Sequence, residues 1–195
     1  MTNTELNTII DELTITLANC KIDQNGIKSL VINETFFNAD YMQRVNITTC
    51  PEHTATFQEL LKINQPVLYW FEFDKNSVSK ETLRNKYVAY REPMKYDFKN
   101  KNYRNTAAYK TDIKESDFTL YVGKVKKGFW GRLVTHLGYN KAKGTAGMQL
   151  FHWFNPKEYG DITLYYLTLD TAMENLISVL EIEMALRKKP IIGRF

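Results

Sequence analysis

DFTLYVGKVKKGFWGRLVTHLG, residues 117–138, is the stretch on which the reading of this chain turns. Its first half, DFTLYVGKV (117–125), has the β-branched and aromatic density of a strand. Its second half, GFWGRLVTHLG (128–138), has helical spacing and is closed by Gly138. Arg132 and His136 stand four apart on that helix, so their side chains share one face, one above the other. On these residues alone, the segment also fits an ordinary strand-to-helix crossover with a solvated Arg and His. The turn GKVKKGFWGR lacks both the Lys-Ser/Thr ending of a P-loop and the GxGxxG of a dinucleotide fingerprint, so it does not indicate a nucleotide loop.

Upstream, QPVLYWFEFD (65–74) is the clearest strand, and SKETLRNKYVAYRE (79–92) reads as a charged helix followed by a polar, basic loop over 93–107. Downstream, MQLFHWF (148–154) fits either a strand or a short helix, and ITLYYLTLD (162–170) is a strand. TAMENLISVLEIEMALRKKP (171–190) reads as one helix with the stripe Met173, Leu176, Ile177, Leu180 and Met184, stopped by Pro190. The N-terminal part offers a helix over 4–19 (Leu6, Ile9, Ile10, Leu13, Leu17), a strand over 26–32 and a helix over 51–63. Short strands mixed with helices predict an α+β fold, a small antiparallel sheet flanked by helices. A chain of 195 residues with 44% apolar side chains holds one domain with an appendage. The expected division is an N-terminal α/β extension over 1–64 and a main domain over 65–195.

Charge is unevenly spread. Residues 1–73 carry four Lys/Arg against nine Asp/Glu, residues 74–143 seventeen against seven, and residues 144–195 five against six, giving −5, +10 and −1. The basic middle is either a solvated face or the footprint of a polyanion, since clustered cations displace counterions from phosphates. Cys20 and Cys50 lie thirty residues apart with no CxxC spacing, and three His are too few to suggest a zinc centre, so reduced thiols in a cytoplasm are expected. No basic leader precedes an apolar run and no long uncharged apolar stretch occurs, so neither export nor a membrane partner is expected.

Several separated segments together resemble the GIY-YIG nuclease superfamily. Tyr121-Val122-Gly123 looks like its YIG triplet, and Arg132 with His136 matches its R-x-x-x-H/Y helix. Leu180-Glu181, with Lys189-Pro190 after it, is similar to the last motif, in which a helix-borne Glu binds the metal. GTAGMQLFHW (144–153) and KPIIGR (189–194) resemble bacterial members with a helical insertion between the two tyrosine strands, which makes Tyr69 in VLYWFEF the first motif tyrosine. The rival is Tyr109 in AAY, twelve residues before Tyr121, nearer the spacing of compact members. One departure is Gly193, where many members carry Asn; this bears on a supporting role and not on the metal.

The resemblance implies a DNA endonuclease, acting on double-stranded DNA, with Mg²⁺ or Mn²⁺ held by Glu181. Helical periodicity alone leaves Glu183 as an alternative to Glu181; the spacing to Pro190 in the family pattern selects Glu181. Arg132 would set its planar fork against the scissile phosphate as charge develops there. Tyr69, helped by His136 or Tyr121, would activate the attacking water or only orient it, an unperturbed Tyr being a poor base near neutral pH. Lys124, Lys126 and Lys127 of the turn, and Lys95, Lys99, Lys101 and Arg104 of the basic loop, are the expected phosphate contacts. His53 and His152 suggest no partners, and the latter reads as structural. Arg132 and Glu181 are expected on polar helix flanks, where truncation costs up to about 1 kcal/mol. The alternatives are a nucleic-acid-binding module with the nuclease fold but little catalysis, and a small enzyme acting on phosphorylated metabolites.

Overall fold

The computed structural model describes residues 2–20, 26–43, 47–95, 97–99, 103–112, 118–140 and 144–194. In chain order its strands and α-helices are α1 (Asn3–Asn19), β1 (Ile27–Ile32), α2 (Asp40–Gln43), α3 (Thr54–Leu61), β2 (Val67–Phe73) and α4 (Lys80–Arg91). They continue with β3 (Thr119–Val125), α5 (Phe129–Leu137), α6 (Pro156–Tyr159), β4 (Ile162–Thr168) and α7 (Ile177–Lys188).

The strands form one antiparallel sheet in the order β1-β4-β2-β3. β2 lies inside it with both faces covered. Val67, Tyr69, Phe71 and Phe73 enter the main core, while Leu68 and Trp70 join clusters on the opposite face. A strand buried on both sides reads as a continuous apolar run, which is why 65–74 stood out in the sequence. The first face is covered by α3, α4 and α5 through Phe57, Leu60, Leu83, Tyr87, Phe129, Leu133 and Leu137. The second is covered by α7, whose Ile177 and Ala185 meet Leu68, Trp70 and Val122. Trp70 Nε1 and Lys188 Nζ both donate to Glu72 Oε1, at 3.0 and 2.6 Å, which fixes α7 against β2. The fold is α+β, a small four-stranded antiparallel sheet flanked by helices.

β1 pairs with β4 from Ile27↔Leu167 to Ile32↔Ile162, and Ile32, Phe57 and Leu60 share a core with Tyr69 and Phe71. The expected boundary at 64/65 therefore does not divide the core: residues 27–61 supply a sheet edge and a covering helix. Only α1, among the described helices of eight or more residues, buries none of its residues.

The expected helix over 171–190 is divided. Asp170 Oδ1 accepts from Ala172 N–H at 2.8 Å and starts a 3₁₀ turn over Thr171–Glu174; α7 begins only at Ile177. Met173 and Leu176 are both buried in the cluster under β2, and the tight turn brings residues three apart to one side, where an α-helix would splay them. MQLFHWF resolves as a 3₁₀ turn at Leu150–His152. After α7, Lys189 adopts the left-handed conformation (φ 44°) and Pro190 stops the helix. The chain then runs along the outer edge of β3: Ile191 and Ile192 N–H donate to Thr119 O and Leu120 O at 3.1 and 2.9 Å. This leaves the second half of that edge, at Gly123 and Lys124, open to the site described next. No helix among the described residues is long and apolar enough to cross a membrane.

Candidate active site

Strand register sets the position of Tyr69. It lies opposite Gly123 on β3, and its ring extends over that glycine. A Cβ at position 123 would stand 2.6 Å from the Tyr69 hydroxyl oxygen and 2.5 Å from Cε1 of Tyr121. The glycine of the YVG triplet is thus required by close approach of two tyrosine rings, since no other side chain leaves room for them.

α5 supplies the groups that meet those rings. Gly128 (φ 71°) turns the chain into the helix and Gly138 (φ 104°) ends it in the left-handed conformation that a C-terminal glycine accepts without strain. The face that carries Arg132 and His136 points to the sheet. His136 is wholly buried, its ring 4.5 Å from that of Tyr121. Met148 N–H donates to His136 Nδ1 at 3.3 Å, so in the neutral ring the proton is on Nε2. Burial and the nearby Arg132 hold the imidazole pKa far below its ordinary value, so the ring stays neutral. Nε2–H therefore donates to the Tyr69 hydroxyl oxygen at 3.0 Å.

Arg132 donates three hydrogen bonds: Nε to the Tyr69 hydroxyl at 2.8 Å, Nη2 to the Tyr121 hydroxyl at 3.0 Å, and Nη1 to the Ala146 carbonyl at 2.7 Å. A guanidinium has five N–H groups, so two remain, and Arg132 lines a cleft of about 460 Å³ together with Tyr121 and Glu181. Tyr69 accepts from both Arg132 and His136 behind that wall. Burial, and next the neighbouring Tyr121, push its pKa up, so the phenol stays protonated. Of the two roles considered for Tyr69, orienting fits this environment and deprotonating water does not.

Glu181 reaches the same cleft from α7, on the other side of the sheet. Its carboxylate accepts from Lys124 N–H at the open part of the β3 edge, yet partial burial outweighs this and the charges of Lys124 and Arg132, raising its pKa. A carboxylate short of compensating positive charge is suited to take on a cation. It is a lone one: among the described residues no group of three or more His, Cys, Asp or Glu gathers. Mg²⁺ or Mn²⁺ fits such a donor set, because a hard cation can keep water and phosphate oxygens in its remaining positions.

Other expected site residues take different places. Tyr109 pairs its backbone with Ile192, and its ring lies under the guanidinium groups of Arg84 and Arg91 (5.9 and 5.5 Å), outside the hydrogen-bonded cluster. Lys124 Nζ bonds to Ser178 Oγ on α7. Lys126 pairs with Glu174 at 3.4 Å, and Lys127 is exposed. Lys95 lies 3.9 Å from Glu92 and Lys99 is exposed, whereas Lys101 lies outside the described residues.

Arg104 is a correction. It is 4% exposed and donates to the Asn140 carbonyl at 3.2 Å, so it ties the loop after α4 to the end of α5 and has no surface to offer a phosphate. His53 and His152 do have partners. His53 is stacked on Phe36 and bonded to Thr35 O, and His152, its pKa pushed down to about 4 by burial, meets Gly138 O at 3.2 Å.

Sequence reasoning missed Arg194, Asn105 and the Ala146–Met148 segment. Arg194 and Asn105 line the cleft, and Ala146 and Met148 hold Arg132 and His136 through main-chain groups. Both were within quoted segments or loops, but a backbone carbonyl or amide leaves no mark in residue type. No protein-family model, curated protein or solved structure matches the chain.

Proposed function

We propose that this chain is a metal-dependent endonuclease of GIY-YIG type that hydrolyses phosphodiester bonds in double-stranded DNA. The reading rests on one observation above the others: Tyr69, Tyr121, Arg132 and His136, from β2, β3 and α5, form one bonded cluster at a cleft that Glu181 enters from α7. Arg132 turns its two remaining N–H groups toward the scissile phosphate and stabilises the charge that grows there. Tyr121, whose hydroxyl faces the cleft, orients the attacking water. Tyr69 and His136 do not touch substrate; they hold the guanidinium and the Tyr121 hydroxyl in place. Glu181 holds Mg²⁺ or Mn²⁺, which as a Lewis acid stabilises the departing 3′ oxygen when bound.

The test is incubation of the purified chain with supercoiled plasmid and Mg²⁺ or Mn²⁺, with EDTA as control. Metal-dependent nicking or linearisation, lost in both Arg132→Ala and Glu181→Ala, supports the reading. Plasmid retained intact but shifted on a gel would make the chain a binding module with little catalysis.

A further inference from the structure

α1 begins with a complete capping box, Thr2 and Glu5 each bonding the other's main-chain N–H. Its ends are specified locally, yet nothing covers its apolar stripe. Leu6, Ile10, Leu13 and Leu17 are 42%, 49%, 40% and 39% exposed, and Ile9 beside them 43%. The helix is joined to the body through Cys20, which packs against the cluster of Leu167, Leu169 and Ile177, and through contact with the Thr171–Glu174 turn. Its β-branched residues, Ile9, Ile10 and Ile15 with four threonines, are mediocre helix formers, so a helix of this length needs packing to persist in water.

The stripe is the same read in either direction. Leu6, Ile10, Leu13 and Leu17 are spaced 4-3-4 about a midpoint between Asp11 and Glu12. Two such helices laid antiparallel bring Leu6 against Leu17 and Ile10 against Leu13, twice, across a two-fold axis, which is the condition for an isologous seam. The charges do not oppose this. In the heptad set by the stripe, Glu5, Asp11 and Glu12 fall on the outer face, and the positions flanking the seam are Asn7, Ile9, Thr14 and Thr16. Thr14 and Thr16 turn their hydroxyls onto the carbonyls of Ile10 and Glu12, at 2.8 and 2.9 Å, which leaves their methyl groups to a partner. A basic partner would have no acidic flank to read along this seam.

We propose that α1 is a homodimerisation helix, occupied by α1 of a second copy of this chain in antiparallel orientation. The full chain has a mass of 22.8 kDa, and sedimentation across a concentration series should show it passing to twice that mass. Leu13→Asp places a charge beside the two-fold axis and should keep the chain monomeric at every concentration. Because α1 buries nothing in the core, the thermal midpoint of that variant measured at low concentration should match the parent.

Orientation is tested separately. In a Cys20→Ser background, chains carrying Asn7→Cys and Thr16→Cys are mixed and oxidised, and linked peptides are identified by mass. An antiparallel seam gives the mixed 7–16 link, whereas 7–7 and 16–16 links would mean parallel helices and overturn the two-fold arrangement. A parent chain that stays monomeric throughout, with α1 covered in cis or by another protein, overturns the proposal. So does a Leu13→Asp chain that still dimerises.

Discussion

α5 and α7 face each other across the sheet and each sends one charged side chain to the same cleft, but they hold those side chains very differently. Arg132 has three fixed acceptors and two buried supporters, Tyr69 and His136. Glu181 has a main-chain N–H and a pKa raised by burial. The cationic half is already organised before any ligand arrives; the anionic half is left with unmet demand for positive charge. Preorganised donors cost no rearrangement when charge develops on a substrate. An undercompensated carboxylate is where a cation gains most. The two halves should therefore respond to substitution in opposite ways, in stability as well as in activity.

The largest effect belongs to Arg132. Its removal leaves the hydroxyls of Tyr69 and Tyr121 and the carbonyl of Ala146 without their donor, in partly or fully buried positions. Arg132→Ala should cost about 2–4 kcal/mol in chemical denaturation, well above the cost expected for a polar helix flank, as well as losing cleavage. Arg132→Lys should restore little of either, because one ammonium cannot serve three acceptors spread over a planar fork. A denaturation midpoint equal to the parent's would end the claim that this half is prebuilt.

Tyr69→Phe is next, at about 1–3 kcal/mol, because it deprives two buried donors, His136 Nε2–H and Arg132 Nε–H, of one acceptor. Tyr109→Phe is the control and should stay within about 0.5 kcal/mol, as at a site without such a network. If the two variants exchanged places in a cleavage assay, the compact-family tyrosine would be the working one. Gly123→Ala should fall in a similar range, about 1–3 kcal/mol, by forcing the Tyr69 and Tyr121 rings apart. Near-UV circular dichroism would register the displaced rings.

Glu181→Gln should go the other way on stability. A carboxyl whose pKa is raised on folding binds its proton more tightly in the folded chain, so folding is favoured as pH falls and its charge opposes folding above the raised pKa. The amide removes that opposition at neutral pH, so the variant should be no less stable than the parent while cleavage is lost. In the parent, the acid limb of the pH–rate profile should lie above the ordinary Glu value of about 4.3. A variant clearly less stable at neutral pH would show that Glu181 is held by partners and not left open.

The smallest change concerns binding. With Arg104 buried, the basic loop offers Lys95 and Lys99 among its described residues, so neutralising both should flatten the slope of log affinity against log salt by about 1.8 at most. Adding Arg104→Ala to them should change stability, not slope.

Every strand and the longer helices could be read from the chain because periodicity and terminators act over a few residues: alternating or continuous apolar runs at 65–74 and 162–170, Gly138 after α5, Pro190 after α7. The elements that carry Tyr69, Tyr121, Arg132 and Glu181 were legible for the same reason, and so were the residue types. What the residues touch was not. Arg132 and Arg104 look alike in sequence, yet one meets a cleft and the other is buried against Asn140. His136 could have been a solvated helix residue; it is wholly buried because Tyr69, 67 residues away, offers its ring a partner.

The core's continuity across residue 64, the break before α7 and the main-chain grip of Ala146 and Met148 likewise came only with the fold. Each is decided by which distant surfaces must be covered and which buried polar groups must find a partner. Those are properties of the packed chain, and a local pattern of residues does not contain them.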